Sequence, residues 1–219
     1  FATLANRVIY NEPISILRIE DKDGVLIENF TSYASEAIPE ETAYIVTDML
    51  RTAIDAGTGQ AARSKYNFQR PAAGKTGTTQ DFADAWYVGF TPQLAGGVWV
   101  GFDDQRVSFT GDYGQGARAA LPIWAIFMHD VYEQLNLPVE DFIPPASGNV
   151  IPAKFCKESI YELGDPKLYS PNCRAGVLTD IINIKDIPTT FDAFRDTTIK
   201  IFDRYQFKDT INHEAKEIR

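Results

Sequence analysis

The sequence predicts an α+β fold in which antiparallel strands carry helices against them. Three observations predict it. Two β-rich segments flank an Asp-Gly turn, two apolar strands are joined by a three-residue connection, and two other segments space their apolar residues for helices. With 219 residues, the chain has room for one large domain, or a domain and a smaller appendage.

The elements follow in order. Phe1-Ala-Thr-Leu-Ala-Asn6 reads as the inside of a helix, and the absence of an initiator methionine suggests a fragment or processed product of something longer. Residues 13–20 and 25–30 form a hairpin around Asp21-Lys-Asp-Gly24. A helix follows Pro39, with an apolar stripe of Val46, Met49, Leu50, Ala53 and Ile54, stopped by Gly57 and Gly59. Residues 85–90 and 94–101 are strands joined by Thr91-Pro-Gln93. Both are apolar on both faces, which predicts central strands covered on each side, with glycines at close backbone approaches or bulges. Residues 111–116 form a loop. A second helix places Pro122 in its first turn, with Trp124, Phe127, Met128, Val131 and Leu135 as its stripe. Beyond about Pro144 the composition shifts to Pro, Asp and Lys, with strands expected near 177–184 and 197–202. This stretch, 145–219, reads as an appendage of uncertain fold.

Composition narrows the function. With 21 basic against 30 acidic side chains the net charge is −9, which argues against a nucleic-acid partner. No apolar run approaches the ~20 residues needed to cross a bilayer, so no membrane contact is expected from this chain. Cys156 and Cys173 stand 17 positions apart, outside any Cys-x-x-Cys pair. They are read either as two separate thiols or as a disulfide made in an oxidising compartment, and no metal site is expected. His129 and His213 are isolated in sequence, which suits satisfied or solvent-facing histidines.

Chemistry concentrates at Gly74-Lys75-Thr76-Gly77-Thr78-Thr79. A phosphate loop would need a glycine at position 69, which is Gln69, and a helix directly after the lysine, where strands follow instead. Gly114-x-Gly116 likewise lacks the third glycine of a dinucleotide loop. Neither points to a cofactor, and none is expected. An extended strand fits better. It turns Lys75 and Gly77 to one side and Thr76 and Thr78 to the other, with backbone N–H groups along the rim. Such an edge suits an extended peptide with a terminal carboxylate. The Thr78 N–H could serve as an oxyanion donor in acyl transfer.

The surrounding residues carry a resemblance. Residues 74–92, from Gly74-Lys-Thr-Gly-Thr-Thr79 through Trp86-Tyr-Val-Gly-Phe-Thr-Pro92, and Gly97-Val-Trp-Val-Gly-Phe-Asp-Asp104 closely resemble the penicillin-binding proteins. Phe1-Ala-Thr-Leu-Ala-Asn6, Glu41-Thr-Ala-Tyr44, Gly57-Thr-Gly59 and residues 119–128 extend the likeness, which covers about residues 1 to 144 and looks most like the class A bifunctional peptidoglycan synthases. It implies a mainly antiparallel sheet packed between helices, as in serine β-lactamases, and incomplete in this chain. It also implies DD-transpeptidation of peptidoglycan stem peptides ending in D-Ala-D-Ala, and acylation by β-lactams. By the same likeness Lys75 and Thr78 are catalytic, while Thr76, Gly77, Thr78 and Thr79 bind substrate.

The family's chemistry needs Ser-x-x-Lys, Ser-x-Asn and Lys-Thr-Gly. Only the last stands here in its family position. No serine begins a Ser-x-x-Lys, and Ser147-Gly-Asn149 and Ser170-Pro-Asn172 both follow Lys75, whereas the family's Ser-x-Asn precedes it. The chain alone is therefore expected to be inactive. The nucleophile, a membrane anchor and a glycosyltransferase would lie upstream in the same protein, outside the cytoplasm, and that N-terminal portion is an implied partner. A competing reading is a peptidoglycan-peptide-binding module without catalysis. A third is a relative of the serine β-lactamases, which the Trp-Tyr-Val-Gly-Phe-Thr-Pro and Val-Trp-Val-Gly-Phe-Asp-Asp blocks disfavour.

Overall fold

The computed structural model describes residues 1–104 and 106–191, and the strand expected at 197–202 and His213 fall outside them. The chain divides into two compact units, 1–150 and 151–219.

The first unit is built on a three-stranded antiparallel sheet. After a short helix α1 (Ala2–Ala5) come strands β1 (Ile9–Asn11), β2 (Arg18–Glu20), β3 (Leu26–Asn29) and β4 (Ala34–Glu36). β1 pairs with β4 and β2 with β3, each pair forming its own two-stranded ribbon. The expected hairpin is therefore present but shorter than read. Its turn is held by Asp21, whose Oδ1 accepts from the Asp23 and Val25 amides at 2.8 and 2.9 Å. Helix α2 (Glu40–Asp55) follows Pro39, with Glu40 and Glu41 in the first turn, where the helix dipole favours acids. Its buried residues are Ala43, Thr47 and Ile54, whereas Met49 of the expected stripe is exposed.

A short helix α3 (Ala61–Ser64) leads to β5 (Ala73–Thr78), β6 (Asp84–Phe90) and β7 (Ala95–Gly101), in the order β5-β6-β7. The connection at Thr91 is closed by its own amide donating to Leu94 O at 2.8 Å. The expectation that both apolar strands are covered on each side is corrected. β7 ends the sheet among the described residues, and Trp86 and Trp99, directly paired on one face, are each 44% exposed. Ala85 and Tyr87 face the other way and are fully buried. Residue type alone marked these strands as apolar; whether anything covers each face is a tertiary matter.

That buried face carries helix α4 (Gly116–Leu135). Leu121, Trp124, Ala125, Met128 and Tyr132 make the actual stripe, joined in one core by Ile54, Phe68 and Tyr87. Phe127 and Leu135, expected in it, are 61% and 62% exposed. The Trp124 ring meets Phe68 edge-on at 5.3 Å and Tyr87 at 5.1 Å. Gly89 and Gly96, a cross-strand pair, form the floor beneath it: a Cβ at Gly89 would stand 2.7 Å from Trp124 Cζ2. Here the glycines mark close approach, as the sequence suggested.

α4 also begins earlier than expected, leaving Pro122 inside it and turning part of the 111–116 loop into a single 3₁₀ turn, Gly111–Gly114. The extra turn forms because the strand sheet, not the local sequence, supplies a cap, as described below.

The second unit pairs β8 (Val150–Cys156) with β9 (Val177–Asn183), the latter expected and the former not, around a small helix α5 (Lys157–Tyr161). Ala153, Phe155 and Leu168 form its core. Cys156 and Cys173 are joined as a disulfide, with Cα atoms 5.6 Å apart, so of the two readings of these cysteines the bonded one holds.

Candidate active site

Strand β5 pairs only with β6, leaving its other edge unpaired among the described residues. The Thr79 amide donates to Asp84 O at 3.1 Å, and the register continues as Thr78↔Ala85, Gly77↔Trp86, Thr76↔Tyr87 and Lys75↔Val88. Bonded and non-bonded pairs alternate along an antiparallel ladder. Gly77 and Lys75 therefore spend their backbone groups on β6, while Thr76 and Thr78 turn N–H and C=O toward the free edge. Side chains alternate as expected. Thr76 and Thr78 lie on the face of Tyr87 and Ala85, Lys75 and Gly77 on the face of Trp86 and Val88.

Each group has a definite partner. The Lys75 ammonium bends over the edge and donates to Thr76 O at 3.0 Å, with a longer contact of 3.4 Å to Thr76 Oγ1. Thr76 Oγ1 lies 2.8 Å from Thr58 Oγ1. Thr78 Oγ1 accepts from the Gly116 amide at 3.0 Å. This is how α4 gains its first turn. A helix start exposes amides that need acceptors, and β5 provides one from 38 positions away. Gly116 is backed directly onto the sheet: a Cβ there would lie 2.5 Å from Gly77 O and 3.2 Å from Gly77 N. Thr79 belongs to the turn instead. Its hydroxyl accepts from the Asp84 amide at 2.8 Å, and Asp84 Oδ1 receives the Trp99 indole N–H at 2.8 Å.

Lys75, Thr76, Gly77 and Thr78 are thus brought to one edge, with Thr79 at its end. Two residues to which sequence reading gave no role at the site join them. Thr58 stood inside a helix-stop signal, and Gly116 inside a loop; only the fold brings either beside β5. The two displaced Ser-x-Asn matches have other tasks. Ser147 Oγ and Asn149 Nδ2 both donate to Glu41 Oε1, at 2.7 and 3.2 Å. Glu41 is at the start of α2 and Thr58 just past the other end of this 16-residue helix, which is about 24 Å long. Ser170 is buried in the second unit, its Oγ accepting from the Asn172 amide.

A family model described as "Penicillin binding protein transpeptidase domain" matches residues 1–121. The chain belongs to the penicillin-binding transpeptidase family. Among its relatives, penicillin-binding protein 1A of Aquifex aeolicus (strain VF5) is 39% identical over 146 residues, covering 66% of this chain and 19% of the relative. Penicillin-binding protein 1A/1B of Bacillus subtilis (strain 168) is 32% identical over 148 residues, 60% of this chain and 15% of the relative. The chain thus spans a minor part of the length of either. The crystal structure of penicillin-binding protein 1A from Haemophilus influenzae matches with a TM-score of 0.68 at 23% identity, over 87% of this chain and 32% of that one, a likeness of fold. The resemblance to class A penicillin-binding proteins and the α+β fold both stand.

Proposed function

We propose that this chain supplies the substrate-holding edge of a peptidoglycan DD-transpeptidase whose nucleophilic serine lies in an upstream segment of the same protein. The observation that carries the reading is the unpaired edge of β5, where the outward backbone groups of Thr76 and Thr78 alternate with the Lys75 ammonium. A stem peptide ending in D-Ala-D-Ala would lie along this edge as an added strand. The serine hydroxyl would attack the penultimate D-Ala carbonyl, its proton passing on to the departing D-Ala amine, with the oxyanion held by the Thr78 N–H. Collapse of the intermediate expels D-Ala and leaves an ester. An amine on a neighbouring strand then takes the acyl group and returns the serine hydroxyl. Lys75 contributes positive charge beside the nucleophile, and Thr76 and Thr78 hold the terminal carboxylate, with Gly77 and Thr79 lining the strand. A β-lactam would occupy the same edge and stop at the ester.

In this reading residues 1–144 are the C-terminal part of the transpeptidase domain and 145–219 an appendage to it. The protein works outside the cytoplasm, held to the membrane by its upstream segment. The Cys156–Cys173 bond agrees with an oxidising compartment.

The test is labelled penicillin added to the full-length protein. Covalent label on an upstream serine, slowed by orders of magnitude in Lys75→Ala, is the expected result. An unchanged rate in that variant would overturn the reading. An upstream sequence without Ser-x-x-Lys would favour a binding module instead.

A further inference from the structure

We infer that Thr58 is a positioning residue of this edge: its hydroxyl occupies one acceptor site of Thr76, so that the single Thr76 proton is aimed outward at a ligand carboxylate. The inference rests on the reading of β5 as a carboxylate-binding edge and deepens it.

The geometry begins with the turn that ends α2. Gly59 is buried, and its amide donates back to Ala53 O at 2.9 Å; a Cβ there would lie 3.0 Å from Ile54 Cα and 3.1 Å from Ala53 O. The chain is thereby folded tightly onto the last turn of the helix, and Thr58, between Gly57 and Gly59, is held out toward β5. Its Oγ1 stands 2.8 Å from Thr76 Oγ1, a contact spanning 18 positions.

A hydroxyl owns one proton and two acceptor sites. The Lys75 ammonium has protons only, so its 3.4 Å contact with Thr76 Oγ1 fills one acceptor site. The Thr58–Thr76 bond has two arrangements. When Thr76 donates to Thr58, it has no proton for a ligand. When Thr58 donates to Thr76, both acceptor sites of Thr76 are filled and its proton points away from both partners. A carboxylate only accepts, so its arrival selects the second arrangement, in which Thr58 and Lys75 together fix the Thr76 hydroxyl with its proton outward. Lys75, Thr76 and Thr58 then act as a row of donors whose last free proton faces the ligand.

The experiment compares acylation of the full-length protein by benzylpenicillin and by its methyl ester, each in competition with fluorescent penicillin. Thr58→Val keeps the branched shape and removes the hydroxyl. It is expected to slow acylation by the acid roughly 2- to 13-fold, the range for losing one hydrogen bond between neutral groups, through weaker binding and not a lower maximal rate. The methyl ester, with no carboxylate, should lose little, and Thr58→Ser should recover most of the loss. The acid-to-ester ratio does not depend on the fraction of protein folded, so it reads the effect even in a poorly folding variant. Equal losses for acid and ester, with no recovery by Thr58→Ser, would assign Thr58 a merely structural role and overturn the inference. Wild-type acylation by Thr58→Val alongside a strong loss in Lys75→Ala would overturn it and leave the edge reading intact. Unimpaired labelling of Lys75→Ala would remove the edge reading itself.

Discussion

Replacing Gly116 by alanine tests whether α4 and β5 are one mechanical unit. The added Cβ would fall 2.5 Å from Gly77 O, and the obstructing atom is backbone, which cannot rotate away. Overpacking of this kind costs about 1–3 kcal/mol. Moving the helix start aside also weakens the 3.0 Å bond from the Gly116 amide to Thr78 Oγ1, worth about 0.5–1.5 kcal/mol. Against this, alanine gains at most about 1 kcal/mol over glycine in helix propensity. The balance is a loss of about 2 kcal/mol. Urea unfolding followed by tryptophan fluorescence measures it. Thr78→Val in parallel isolates the hydrogen-bond share, because it removes the acceptor without adding volume near Gly77. Penicillin labelling should fall in Gly116→Ala as well, since the strand that yields carries Lys75 and Thr76. A Gly116→Ala protein within 0.5 kcal/mol of its parent, labelled at the same rate, would refute the coupling.

Other outcomes follow from the same contacts. Burial pushes the Tyr87 phenol far above its ordinary value of 10.0, and its hydroxyl has no hydrogen-bond partner among the described residues. The stability of keeping it neutral is fully present below pH 10 and is lost as the pH rises toward the raised value. Tyr87→Phe should therefore cost little at pH 7 and flatten the fall in melting temperature above pH 10, checked by melts across that range. Arg63 binds Asp55 through Nε at 2.9 Å and the carbonyls of Phe68 and Arg70 through Nη1 at 2.7 and 2.6 Å, clamping the segment that enters β5. Arg63→Ala should destabilise by about 2 kcal/mol in urea unfolding, through three lost charge-assisted bonds of which water restores part. Cys156→Ser should lower the stability of the second unit by about 3 kcal/mol, the chain-entropy value for a loop of this length. Thiol titration without reductant should find no reactive cysteine in the wild type; two would contradict the bridge.

Much of the site was legible in residue order. Lys75-Thr76-Gly77-Thr78 declared a strand by what followed it, and the alternation of its side chains needed only the period of two. The helices announce themselves by apolar spacing, but the buried stripe of α4 differs from the one that spacing predicts. Phe127 is exposed while Tyr132 is buried, because apolarity is a property of the residue and burial a property of what packs on it. Pro122 misled in the same way. It suits a first turn, yet the helix begins at Gly116, whose amide finds its acceptor in Thr78 from across the fold. Gly57-Thr-Gly59 extends the family likeness but gives Thr58 no role, because a threonine between two glycines is an ordinary helix stop until another hydroxyl is found 2.8 Å away.

The order of residues alone determined the family, the strand on which the candidate site lies and which side chains share its faces, because these depend on short-range periodicity and contiguous motif. The tertiary structure decided the rest: which edge of the sheet is unpaired and which face is open among the described residues, where α4 begins and which hydroxyl reaches Thr76. Those are settled by groups 18 to 38 positions apart meeting within hydrogen-bond distance. No local pattern encodes such a meeting, because it is the packed core that brings the two ends together.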